Sequence, residues 1–125
     1  MADQLSIYIV EDDDAVRDAM AMWLEAEGYV VHVFASCEAF LRAPRPDSRS
    51  CLVTDVNLPV MTGLQLLARL EEEGFSIPVI IMTGMPSRAV AAAAERIGAA
   101  LIVKPFKPDD LFNCIQEKFA QREMC

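Results

Sequence analysis

A chain of 125 residues has room for one ordinary domain with a single buried core, and its formal charge of −8 argues against nucleic acid as a direct partner. Phosphate binding needs clustered Lys and Arg, whereas the 11 basic residues here are scattered. The four cysteines, at 37, 51, 114 and 125, show no Cys-x-x-Cys spacing, which predicts reduced thiols in a cytosolic protein rather than a metal or disulfide framework. The start, Met1-Ala2-Asp3-Gln4, lacks a basic region followed by a long apolar segment, and no window approaches about 18 consecutive apolar residues. A soluble, cytoplasmic protein without membrane contact is expected.

Leu5 to Val10 is a β-rich run that stops abruptly at Glu11-Asp12-Asp13-Asp14 and reads as a strand emptying into an acidic loop. A helix follows: Val16, Ala19, Met20, Trp23 and Leu24 recur at helical spacing, acids crowd the first turn, and Gly28 supplies a stop. Tyr29 to Phe34 is a second strand. Ser36 caps a short helix carrying Ala39, Phe40 and Leu41, which ends before Pro44 and Pro46.

The apolar, β-branched run from Cys51 predicts a buried strand that delivers one carboxylate, Asp55, to its carboxyl end before Pro59 breaks the pattern. Thr62-Gly63-Leu64-Gln65 has the form of a capping box, and Leu64, Leu67, Ala68 and Leu70 run down to Gly74. Pro78 to Thr83 is a fourth strand. Pro86-Ser87 starts a helix through alanines 91 to 94, read as a helix surface, and Gly98 closes it. Ala99 to Val103 is a fifth strand, ending in Lys104-Pro105, and Asp109 and Asp110 open a last helix with Leu111, Ile115 and Phe119 in line.

Five strands alternating with five helices through short connections predict right-handed crossovers and a parallel sheet covered on both faces. Ligands of such a sheet bind at the carboxyl ends of the strands. Those ends carry Glu11-Asp12, Asp55, Thr83 and Lys104, while Ala35-Ser36 marks the second strand as peripheral. Alone, each residue has an ordinary structural explanation: a cap, a turn residue, a surface charge. Together they form a set. Two unit charges about 4 Å apart repel by roughly 4 kcal/mol at an effective dielectric near 20, so either carboxyl pKa values rise or a cation intervenes. Oxygen ligands without His or Cys favour a hard divalent ion, Mg²⁺ above all. Asp55 can then attack phosphorus as a nucleophile while Lys104 and the Thr83 hydroxyl bind the new oxygens. His32 is expected on the peripheral strand with its ring partly solvated, and the methionines as core filler.

Ile9-Val10-Glu11-Asp12-Asp13, Val53-Thr54-Asp55-Val56-Asn57-Leu58-Pro59 with Gly63, Ile81-Met82-Thr83-Gly84 and Lys104-Pro105-Phe106 resemble the receiver domain of bacterial two-component response regulators, over essentially the whole chain. The likeness is greatest to receivers of FixJ-like regulators, which carry a helix-turn-helix effector after the receiver. The resemblance implies an α/β, flavodoxin-like, doubly wound sheet in the order 2-1-3-4-5. It implies one receiver domain over residues 1–125, with any effector domain absent from this chain.

It further implies Asp55 as phosphoacceptor for a sensor histidine kinase. Mg²⁺, with Mn²⁺ as a substitute, would be held by Asp12, Asp55 and the Asn57 backbone carbonyl, with Glu11 acting through water. Thr83 would move toward the phosphoryl group, Lys104 would pair with it, and the Lys104-Pro105 bond would be cis. Gly84 leaves room for the phosphoryl group. The output face would be the fourth helix, fifth strand and fifth helix, serving an effector, such as a C-terminal DNA-binding domain, or a phosphorylation-dependent homodimer. The protein would thus be a switch that assists its own phosphorylation and dephosphorylation, not a turnover enzyme.

Two departures stand out. The family often has Asp where this chain has Glu11, and it commonly has Tyr or Phe where this chain has the switch residue Leu101. An aliphatic residue there can repack, but the usual aromatic gating does not carry over unchanged. The competing readings are a receiver-like docking module that is never phosphorylated, a phosphatase of the haloacid-dehalogenase type, and a flavin carrier. The phosphatase needs an acid where Asn57 stands, and a flavin phosphate would be repelled by Glu11 to Asp14.

Overall fold

The computed structural model of the chain describes residues 5–124, so the Met1 to Gln4 start and the Cys125 thiol lie outside the described residues. In chain order the elements are β1 (Ser6–Val10), α1 (Asp14–Ala26), β2 (Val30–Phe34), α2 (Cys37–Arg42), β3 (Ser50–Asp55), α3 (Gly63–Glu72), β4 (Val79–Thr83), α4 (Arg88–Arg96), β5 (Ala100–Val103) and α5 (Pro108–Met124). The strands form one parallel sheet in the order β2-β1-β3-β4-β5, the doubly wound arrangement expected, with β2 at an edge.

The period of two along each strand divides the apolar residues between the faces. Ile7, Ile9, Cys51, Val53, Ile80 and Met82 pack on one side with Met20 and Leu24 of α1 and Leu111, Ile115 and Phe119 of α5. Leu52 and Ile81 pack on the other with Phe40 of α2, Leu66, Leu67 and Leu70 of α3 and Ala94 of α4. Central β3 is buried at all six residues. Each fully buried Leu, Ile or Val stabilises the fold by about 1.5–3 kcal/mol.

The helix starts read from sequence are present as side-chain caps. Asp13, Ser36 and Ser87 accept the backbone N–H of Val16, Ala39 and Val90, and Thr62 and Gln65 form the reciprocal capping box. At the other end, α1 stops at Gly28, whose φ of +94° suits glycine alone among common residues. The Lys104-Pro105 bond is cis.

Some expectations need correction. In the alanine run, Ala91 and Ala92 are exposed but Ala93 and Ala94 are buried, so half of it is a packing face. On α3, Leu66 is buried with Leu67 and Leu70, while Ala68 faces solvent. Met20 and Met82 fill the core, yet Met22 and Met85 are 67% and 76% exposed. His32 agrees with its reading: it is exposed on edge strand β2, its ring stacked 4.5 Å from that of Tyr8. Cys37, Cys51 and Cys114 are free thiols. No helix among the described residues is long and apolar enough to cross a membrane.

Candidate functional site

Parallel register carries four strand ends to one edge. Val10 pairs with Thr54, so Glu11 follows beside Asp55; Asp55 pairs with Met82, and Thr83 pairs with Val103, directly before Lys104. The Lys104 N–H donates to the Thr83 carbonyl at 2.7 Å, which ties the last two ends together.

Two of the acids are buried, Glu11 at 1% exposure and Asp55 at 6%. Burying charge is costly unless it is paired and hydrogen-bonded. Here one amine serves both: Lys104 Nζ lies 2.6 Å from Asp55 Oδ2 and 2.7 Å from Glu11 Oε1. The remaining oxygens are also used, Glu11 Oε2 by the Asp13 N–H at 3.1 Å and Asp55 Oδ1 by the Asn57 N–H at 3.0 Å. Burial raises the Glu11 carboxyl above its ordinary value and the charge of Asp55 adds to this, against the lowering effect of the Lys104 and Asp13 hydrogen bonds. For Lys104, burial is the largest single influence and pulls downward. Hydrogen bonds to Asp55 and Glu11, with their charges, outweigh it and hold the amine above its ordinary value.

Carboxylate oxygens of Glu11, Asp12 and Asp55 lie within 4.8 Å of one another, with Asp12 exposed at the rim. Two buried carboxylates and an accessible third form an all-oxygen set at the carboxyl edge of the sheet, which fits a hard divalent cation. Thr83 is fully buried, and its Oγ1 accepts the Met85 N–H at 3.1 Å. Leu101 is not among the groups in these contacts. It pairs with Ile81 and packs half-buried against the cluster on the α4 side of the sheet.

Glu11, Asp55 and Lys104 are therefore in direct contact, with Asp12 adjacent, Asn57 joined through its N–H and Thr83 through its backbone. Three further residues shape the site without having been singled out for it from sequence chemistry. Arg17 Nη1 donates to the Glu11 carbonyl at 2.9 Å, fixing the start of the acidic loop. Gly63 lies so close to β3 that a Cβ there would stand 2.3 Å from the Asp55 carbonyl oxygen. Val60 makes the turn in the loop between Asp55 and α3. Gly63 had a signal, as the residue after a capping Thr where glycine is an unusual helix former; Arg17 and Val60 had none.

A sequence model described as the response regulator receiver domain matches residues 7–116. The chain is 42% identical over 107 residues to the transcriptional regulatory protein FixJ of Azorhizobium caulinodans, covering 85% of this chain and 51% of that protein. It is 38% identical over 118 residues to the response regulator protein TmoT of Ectopseudomonas mendocina, covering 93% and 54%. The chain thus spans about half the length of the curated relatives it matches. Among solved structures, the crystal structure of FixJ-N superposes with a TM-score of 0.84 at 33% identity, covering 94% of each chain. Full-length FixJ from B. japonicum superposes with a TM-score of 0.83 at 35% identity, covering 93% of this chain and 58% of that one.

Proposed function

This chain belongs to the response regulator receiver domain family, and on that footing we propose that it is a phosphorylation-controlled switch in which Asp55 accepts a phosphoryl group from a sensor histidine kinase. The observation that carries the reading is the Lys104 bridge: one ammonium holds Asp55 at 2.6 Å and Glu11 at 2.7 Å, so the two buried carboxyl groups share one cation at the carboxyl edge of the sheet.

An Asp55 oxygen attacks phosphorus; the bond from phosphorus to the donor's histidine nitrogen breaks, and that nitrogen keeps the electron pair. The product is an acyl phosphate whose phosphoryl group carries about 1.5 to 2 negative charges in place of the one charge of the attacking carboxylate, a net gain of roughly one. Glu11, Asp12, Asp55 and the Asn57 carbonyl are the groups suited to hold Mg²⁺. Bound there, Mg²⁺ supplies neutralisation of the charge shared between carboxylates and phosphoryl oxygens. Lys104 is already within reach of Asp55 and needs only to exchange a carboxylate oxygen for a phosphoryl oxygen.

The Thr83 hydroxyl can donate to the phosphoryl group while its oxygen is released from the Met85 N–H, which shifts the loop after β4. Because Lys104 N–H and Thr83 carbonyl are bonded, movement at β4 reaches β5, where Leu101 repacks against the α4 side. The face formed by α4, β5 and α5 is then the output surface, for an effector or for a second copy of the chain. DNA binding would belong to an effector, as the helix-turn-helix regulators resembled here would have it, and the site of action would be cytoplasmic.

Intact mass after incubation with a small phosphodonor and Mg²⁺ tests the reading. One added phosphoryl group is expected on the wild type and none on Asp55→Asn. The same labelling in Asp55→Asn would refute the assignment, and no labelling of the wild type by any donor would favour a docking module.

A further inference from the structure

Val60 bears two costs at once. Its φ is +69°, the one positive value at a non-glycine among the described residues, and its side chain is 93% exposed. Positive φ is a genuine outlier for a β-branched residue, and such strain persists only where the surroundings over-determine it. Across Val60 the Met61 N–H donates to the Pro59 carbonyl at 2.8 Å, so this is a γ-turn of the rare, strained hand. The exposed side chain buries almost nothing that could offset the strain.

The cause lies in the two ends of the loop. At one end the Asn57 N–H holds Asp55 Oδ1 at 3.0 Å and Leu58 is 6% exposed, anchored in the core. At the other the Gly63 N–H donates to the Val56 carbonyl at 3.1 Å, and the Cys37 thiol donates to the Thr62 carbonyl at 3.6 Å. Residues 57 to 62 must leave and return between two fixed points, and the reversal falls on Val60. Forced to positive φ, a β-branched residue has one narrow well, whereas glycine in the same place has several paths open.

We propose that Val60 is a positioning residue for the phosphoacceptor site: its strained turn keeps the 57–62 loop on the short path that holds the Asn57 N–H against Asp55. The proposal rests on Asp55 being the phosphoacceptor. The consequence is directional. Asp55 Oδ2 is held by Lys104 and Oδ1 by the Asn57 N–H, so losing the second bond lets the carboxylate turn about the first. The Asn57 carbonyl, on the same loop, loses its place with it.

Two variants separate positioning from strain alone. Val60→Asn, which has no β-branch and so meets positive φ at lower cost, is expected to keep the turn, melt a few degrees above the wild type, and retain Mg²⁺ affinity within about twofold. Val60→Gly removes the strain but frees the path. Its Asn57 amide should exchange with solvent about tenfold faster in metal-free protein, and its Mg²⁺ dissociation constant should rise about threefold. Wild-type exchange at Asn57 in Val60→Gly would overturn the proposal. A wild type that binds no Mg²⁺ would instead undo the metal reading, and the metal-free amide exchange would still decide this one.

Discussion

Lys104 and Asp55, 49 positions apart in the chain, are joined by a 2.6 Å ion pair that closes the carboxyl edge of the sheet. The same Nζ reaches Glu11, so a single cation balances two buried carboxylates. Replacing it with an apolar side chain leaves both without their counter-ion, and carboxylates so close repel. Lys104→Met is therefore expected to lose about 2 kcal/mol in metal-free protein, less than a fully buried pair would cost because Lys104 is partly exposed. Mg²⁺ should restore more stability to the variant than it adds to the wild type, since it no longer competes with an ammonium. Urea unfolding with and without Mg²⁺ checks both; equal midpoints without metal would mean that the bridge contributes little.

Gly63 makes a second approach to Asp55, through the backbone. A Cβ at this position would lie 2.3 Å from the Asp55 carbonyl oxygen and 3.3 Å from Thr54 Oγ1, and the first contact is with main chain that cannot rotate away. Gly63→Ala must push α3 off β3 or displace Asp55. A loss of about 1–3 kcal/mol is expected, the usual cost of overpacking, together with weaker Mg²⁺ binding. The control is Ala68→Ser on the exposed face of the same helix, which should change neither. A Gly63→Ala protein with wild-type stability would show that the contact relaxes without cost.

The contrast between these residues explains what the sequence could reveal. Glu11, Asp55, Thr83 and Lys104 were legible because each ends an apolar strand run, and a parallel sheet sends all such ends to one edge. Their contacts were not. That Lys104 bridges Glu11 and Asp55 depends on side-chain reach across two neighbouring strands, which spacing does not encode. The phase of α3 was misread at Ala68 and Leu66 because leucines on neighbouring positions leave the 3.6-residue period ambiguous. In α4 the alanine run offers no hydrophobic contrast at all, so Ala93 and Ala94 could not be distinguished from Ala91 and Ala92. Val60 carries no turn chemistry; the constraint that bends it is set by Asn57 and Gly63 on either side.

Away from the site, Arg45 links the segment after α2 to the end of α3. Its Nε and Nη2 donate to the two Glu73 oxygens at 2.9 Å each, and its Nη1 donates to the carbonyls of Leu41 and Ala43. The Arg45 hydrogen bond is the main cause that holds the Glu73 carboxyl below its ordinary value of 4.5. A folded value below the unfolded one means that the contribution is present above the unfolded value and is lost as pH falls through the folded one. The melting-temperature difference between wild type and Glu73→Gln should therefore be largest near neutrality and close to zero in strong acid. A difference independent of pH would assign the effect to packing rather than to charge.

Cys37 and Cys51 show how burial controls reactivity beside the same machinery. Both are fully buried, and burial, the main cause, pushes each thiol up to about 12. At pH 8 only about one thiol in 10⁴ is then ionised, and the thiolate is the nucleophile. Cys114 is half-buried and raised as well, again chiefly by burial, but it has a path to solvent. Among the three described thiols, alkylation under native conditions should modify Cys114 first, with Cys37 and Cys51 reacting only through opening of the fold, and should become uniform in denaturant. Cys37 also donates to the Thr62 carbonyl, at the junction of the phosphoacceptor loop and α3. Its labelling rate therefore reports opening at that junction, and Val60→Gly, which frees the adjoining loop, should label Cys37 faster than the wild type while leaving Cys51 unchanged. Peptide mapping of a timed alkylation series measures all three rates, and equal acceleration at Cys37 and Cys51 would point to global rather than local opening.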